Sequence, residues 1–165
     1  MNILKHIVGF IAVGFSVFVF VQKKRSGILK FKLLTDFLWI MHFLFIGAYT
    51  GMATTAISVF RELLFLKRDE YSFLKKPFLI PLFSICYLIS AMFTWKNIAC
   101  ILPPMASTLA TVGFWQTNVT TIRILGLCVS LLMLAYGALN GSIFTVINEV
   151  FTISSLIYCF SRKEI

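Results

Sequence analysis

His42, Arg61 and Glu149 are ionisable residues set deep inside long apolar runs. A charged side chain at the centre of a bilayer costs about 2.5–3.5 kcal/mol on insertion scales, so such residues are rare and mark solute paths, proton relays or ion pairs. At about 1.5 Å per residue, His42 lies about 15 Å beyond Lys32, Arg61 about 15 Å beyond Gly51 and Glu149 about 12 Å beyond Gly141. The expectation is a common depth at which Arg61 pairs with Glu149 and His42 stands beside them, each charge offsetting the desolvation of the other. Thr55, Ser58 and Glu62 recur at helical spacing, as do Thr145, Asn148 and Glu149, so two otherwise apolar helices each carry a polar stripe. Such stripes suit a small hydrophilic ligand, and they also serve as interhelical hydrogen bonds worth about 0.6 kcal/mol each. Other readings stay open residue by residue. Arg61 can snorkel to the headgroups with Glu62 alongside, and His42 can couple to protons or sit neutral against a helix carbonyl. Asp36 can favour the start of a helix or pair with Lys32.

The elements that position these residues follow from composition. The chain has 165 residues, 59% of them hydrophobic, against about 45–50% in soluble domains, which predicts an all-α integral membrane protein. Its 15 basic and 6 acidic residues give a net charge of +9, a balance that suits nucleic acid in a soluble protein but reads here as topology. A spanning helix needs about 20 mostly apolar residues, and spans are predicted at 4–22, 32–49, 52–67, 73–94, 97–115, 122–139 and 142–160. Pro103 and Pro104 are expected to break or kink the start of the fifth. Four cysteines stand singly in apolar runs, with neither disulfide nor metal spacing. No catalytic pattern and no cofactor motif occurs, so the expectation is a protein that is not an enzyme and holds no cofactor.

A twelve-residue phrase occurs twice, GAYTGMATTAIS from Gly47 and GALNGSIFTVIN from Gly137, with five identities at a spacing of 90 residues. It predicts a duplicated three-helix unit: a first repeat over 1–68, a linker helix over 69–96 and a second repeat over 97–165. An odd linker makes the two bundles parallel, with the pseudo-twofold axis along the membrane normal. Lys5 and Lys96 fall on one side; Lys23, Lys24, Arg25, Lys30, Lys32, Lys67, Arg68, Lys75, Lys76, Arg123, Arg162 and Lys163 fall on the other. The positive-inside bias then places the N-terminus outside and the C-terminus in the cytoplasm.

This arrangement is similar to that of the SWEET sugar and PnuC vitamin transporters, within a superfamily that includes the PQ-loop proteins. His42-Phe43, Gly47, Tyr49 and Arg61, with Gly141-Ser142-Ile143 and Glu149, resemble the YgjV-like bacterial inner-membrane proteins over nearly the whole chain. The resemblance implies a bacterial inner-membrane location and a SWEET-like 3+1+3 fold. By the SWEET analogy an asparagine from each repeat faces the solute; here Asn148 has Ser58 opposite it, and the PQ dipeptide is absent. The combined expectation is a carrier of a small polar solute, held by His42, Thr55, Ser58, Arg61, Thr145, Asn148 and Glu149, that works by alternating access. Its partners would be the lipid bilayer and the solute, with a homodimer possible and no nucleic acid. The rival is a non-transporting structural or regulatory membrane protein whose polar groups only join helices. A membrane enzyme using Glu149 and His42 as acid and base ranks third.

Overall fold

The structure is a computed structural model that describes residues 2–161, with side chains from residue 6. Lys5, Arg162 and Lys163, which entered the charge count, lie outside the residues or side chains described. Seven α-helices follow in order: α1 (Asn2–Ser16), α2 (Arg25–Ile46), α3 (Tyr49–Leu66), α4 (Leu79–Phe93), α5 (Leu102–Trp115), α6 (Val119–Leu139) and α7 (Ile143–Ser161). Among the described residues, three stretches are long and apolar enough to cross a membrane by themselves: Ile98–Trp115, Val119–Leu139 and Ile143–Ser161. Burial is inverted relative to a soluble domain. Phe93 is 87% and Phe10 75% exposed, while Arg61 is 1% and Glu62 0% exposed.

Several boundaries differ from the sequence expectation, each for a local reason. α1 stops at Ser16 because the following Val17-Phe18-Val19-Phe20-Val21 alternates β-branched and aromatic residues, which lose rotamer freedom in a helix. α2 begins at Arg25, within the basic run, so Asp36 lies mid-helix and not at its start. The fifth span breaks at Pro103 and Pro104, where a 3-10 turn (Ile98–Ile101) ends and α5 begins. They occupy its first turn, where a missing N–H removes no helical bond. Before them Asn97 caps a short 3-10 turn, its Oδ1 accepting from the Ala99 amide at 3.0 Å.

The repeat is real in backbone but shifted from the sequence phrase. α2 and α6 start at Arg25 and Val119, α3 and α7 start at Tyr49 and Ile143, and the left-handed glycines are Gly47 and Gly141. Each pair is 94 residues apart, not 90. The turn bonds repeat at the same interval. Gly47 N–H donates to Leu44 O and Ala48 N–H to Phe43 O, as Gly141 donates to Ala138 O and Ser142 to Gly137 O. Both are Schellman endings, in which a glycine with positive φ closes the helix. In the phrase, Gly47 had been matched with Gly137, which sits inside α6 where an added Cβ would lie 2.9 Å from the Thr145 Cβ. One glycine serves a turn and the other a close helix contact. Their identity in the aligned phrase reflects two different steric demands.

Helix contacts form a closed ring, α1 to α2 to α3 to α5 to α6 to α7 and back to α1, with α4 outside it against α3 and α5. Two apolar clusters cap the interior. One gathers Phe20, Leu29, Phe65, Phe83, Phe114 and Ile122 at the end rich in Lys and Arg; the other gathers Ala12, Trp39, Phe43, Ala48, Ala99 and Tyr136 toward the glycine turns. Between them lies a polar belt.

Candidate functional site

The belt surrounds a cavity of about 110 Å3, lined by residues of α1, α2, α3, α5, α6 and α7 and by none of α4. Its polar lining comes from both halves of the chain: Asp36, Thr55, Ser58 and Arg61 from the first, Ser130, Thr145, Asn148 and Glu149 from the second. The volume admits several waters and falls below the roughly 300–1,000 Å3 of drug-sized pockets.

Arg61 organises one wall. It does not snorkel; it is buried, and its Nη2 donates to Glu62 Oε1 at 2.9 Å. Its Nη1 reaches Tyr87 Oη, Ser107 O and Thr111 Oγ1, each at 3.2 Å, and its guanidinium lies 5.1 Å from the Phe114 ring centroid. The expected Arg61–Glu149 pair is therefore replaced. Glu62, the adjacent residue on α3, satisfies the charge, and the bonds that cross to the second half go to α5. Tyr87 also shares a 3.2 Å hydrogen bond with Ser58. The linker helix thus supplies a buried group that braces the site from behind.

Glu149 is held separately. Asn148 Nδ2 donates to its Oε1 at 2.9 Å, and Ser130 on α6 hydrogen-bonds its carboxylate. Thr145 shares a 2.7 Å hydrogen bond with Ser142 Oγ, and Thr55 donates to Gly51 O at 2.7 Å. At the 94-residue interval Ser58 corresponds to Thr152, and Asn148 to Thr54, so the expected Ser58–Asn148 equivalence does not hold. The same interval relates Asp36 to Ser130 and Thr55 to Glu149. Each half thus sets one acid and one hydroxyl on its second and third helices, with the two swapped.

His42 is displaced from the site. Its Nε2 lies 3.3 Å from Ser142 Oγ, and its ring packs against Trp39, Phe43 and Phe144, in the layer toward the glycine turns. It does not line the cavity. The equal-depth expectation fails because it counted from different landmarks. From the two equivalent turn glycines, Gly47 and Gly141, His42 is about 7 Å away, Glu149 about 12 Å and Arg61 about 21 Å.

Three residues left out of the expected solute site, Lys32, Asp36 and Glu62, lie at the cavity or directly behind its wall. Lys32 Nζ bonds Asp36 Oδ1, as one of the open readings held, but Asp36 is buried mid-helix and lines the cavity. Glu62 pairs with Arg61 at 2.9 Å. The signal for Asp36 was its place one turn after Lys32 on an amphipathic face. Of the buried side-chain atoms without a partner, Asp36 Oδ2, Arg61 Nε and Asn148 Oδ1 belong to residues that line the cavity, while Glu62 Oε2 and Ser155 Oγ belong to residues that do not. Buried polar atoms are nearly always satisfied, and these three belong to side chains beside a space large enough for waters. Among the described residues no cluster of His, Cys, Asp and Glu is arranged to hold a metal ion.

Bonds join the two halves toward both ends of the bundle. At the basic end Arg25 Nε donates to Phe114 O at 2.9 Å, and Arg68 bonds Trp115 O while lying over the Trp115 ring. At the other end Gly51 N–H donates to Tyr136 Oη at 3.2 Å, beside the His42–Ser142 contact.

No curated protein and no solved structure matches the chain. A family model does, over residues 3–164, and its description agrees with the exposed apolar helices and buried charges. The chain belongs to the Imp-YgjV family of bacterial inner membrane proteins.

Proposed function

We propose that this inner-membrane protein is a carrier that moves a small polar solute by alternating access between two parallel three-helix bundles, α1–α3 and α5–α7, joined by α4 in a SWEET-like 3+1+3 arrangement. One observation carries the reading: a cavity bounded by six helices from both halves, with polar and charged side chains from each half set in a largely apolar lining and none of that lining from the linker. The contacts α3 to α5 and α7 to α1 are equivalent under a twofold exchange of the halves, so one rocking motion would act on both seams. The bonds from Arg25 and Arg68 form the cytoplasmic gate, and those of Tyr136 and His42 the outer gate. The N-terminus faces outward and the C-terminus the cytoplasm, in accord with the bias of basic residues.

A second reading, a non-transporting protein whose polar belt only joins helices, draws support from the modest volume and from the many bonds already made within the belt. Labelling of Ser107→Cys, in a protein whose four cysteines are replaced by serine, separates the two. Ser107 lines the cavity. A carrier predicts reaction with a membrane-impermeant thiol reagent added from either face, whereas a packed bundle predicts reaction from neither.

A further inference from the structure

On the carrier reading, the lining limits the solute. Its charged side chains are two cations, Lys32 and Arg61, and two anions, Asp36 and Glu149, so the wall has no net charge. Each of the four also has a bond of its own: Lys32 with Asp36, Arg61 with Glu62 and Glu149 with Asn148. A guest with a net charge would be desolvated in this buried space without a spare counter-charge, which is costly. The same bonds leave part of three side chains unused. Asp36 meets Lys32 through Oδ1 and keeps Oδ2, Asn148 donates through Nδ2 and keeps Oδ1, and Arg61 donates through both terminal nitrogens and keeps Nε. That leaves two acceptors and one donor on buried side chains. The rest of the lining is largely apolar. Trp39 and Phe43 follow Asp36 by three and seven residues, on the same face of α2. An engineered apolar cavity of about 150 Å3 accepts benzene, so 110 Å3 suits a guest of about four or five non-hydrogen atoms.

We propose that the cavity takes a small uncharged primary amide with a short aliphatic body, of the size of propionamide. Its NH2 group donates to Asp36 Oδ2 and Asn148 Oδ1, its carbonyl accepts from Arg61 Nε, and its ethyl group lies against the apolar wall. Three molecules of the same shape lack part of this match. Propionate and the propionamidinium ion carry a net charge, and 2-butanone keeps the carbonyl but has no donor. The competing occupant is water, which can satisfy the same atoms and gives none of the four an advantage.

The test is thermal unfolding of the wild-type protein in detergent with each of the four. A guest that binds only the folded state raises the melting temperature by mass action, by about 5 °C or more at a hundredfold excess over its Kd. Propionamide is expected to do so saturably and the other three not at the same concentration, and Asn148→Leu, which removes one acceptor, to weaken its binding about tenfold. Equal stabilisation by either ion overturns the assignment of a neutral guest, and equal stabilisation by 2-butanone overturns the hydrogen bonding. No stabilisation by propionamide leaves water as the occupant and overturns the proposal. The wild-type comparison of the four molecules stands even where the variant does not fold. Labelling at Ser107→Cys separates failure of the solute from failure of the carrier. Reaction from both faces without propionamide binding removes only the solute, while no reaction from either face removes the carrier.

Discussion

Replacing Arg61 with methionine strands one group and leaves the others satisfied. Ser107 O still accepts from Thr111 Oγ1 at 2.7 Å, and Tyr87 Oη still meets Ser58 at 3.2 Å. Glu62, fully buried and next to Asp36, loses its counter-charge. Breaking a buried ion pair by removing one partner costs about 3–5 kcal/mol, whereas removing both partners is often neutral. At about 2–4 °C per kcal/mol for a chain of this size, Arg61→Met lowers the melting temperature by about 6–20 °C. Adding Glu62→Gln restores most of the loss, and adding Glu149→Gln restores none, because Glu149 is held by Asn148 and Ser130. Thermal unfolding in detergent of the wild type, the single variants and the two doubles forms the cycle. Rescue by Glu149→Gln without rescue by Glu62→Gln would refute the local pairing and restore a direct bond across the halves.

Gly47→Ala and Gly141→Ala should each cost about 1 kcal/mol through strain at positive φ, with the asparagine variants milder; equal losses in alanine and asparagine variants would contradict this. Gly137→Ala is expected to cost about 1–3 kcal/mol by overpacking, since its Cβ would meet Thr145 at 2.9 Å, and an unchanged melting temperature would show that α6 and α7 are not so close. His42→Ala should lower stability by about 2 kcal/mol through the loss of its ring contacts, yet leave solute-induced stabilisation unchanged, because it does not line the cavity. A loss of the solute effect without a loss of stability would place His42 back in the site.

Much of the fold was legible because bilayer physics writes it in long apolar runs, and the short turns at Gly47 and Gly141 are visible as glycines. The repeat interval was misread because identity of residue type cannot separate a turn glycine from a packing glycine. Gly51 illustrates this: an added Cβ there meets Tyr136 at 3.2 Å, while its counterpart in the phrase, Gly141, closes a helix at positive φ. In the site, Thr55, Ser58, Arg61, Thr145, Asn148 and Glu149 do line one space, since polar residues on apolar helices have few places to go. Their pairing was not legible. It depends on rotation about each helix axis, and a charge adjacent in sequence, Glu62, proved nearer to Arg61 than one on a distant helix. Asp36 was misplaced because the basic run hid the true start of α2.

Distances between spin labels at exposed positions on both faces test the central claim most directly. One pair, Lys67→Cys with Thr117→Cys, spans α3 and α5 at the basic end; the other, Tyr49→Cys with Asn140→Cys, spans the halves at the turn end. Measured in liposomes, alternating access between two bundles predicts two distance populations at each pair, with the longer distance at one face matched to the shorter at the other when the equilibrium is shifted. A single narrow distance at both pairs under every condition would contradict it.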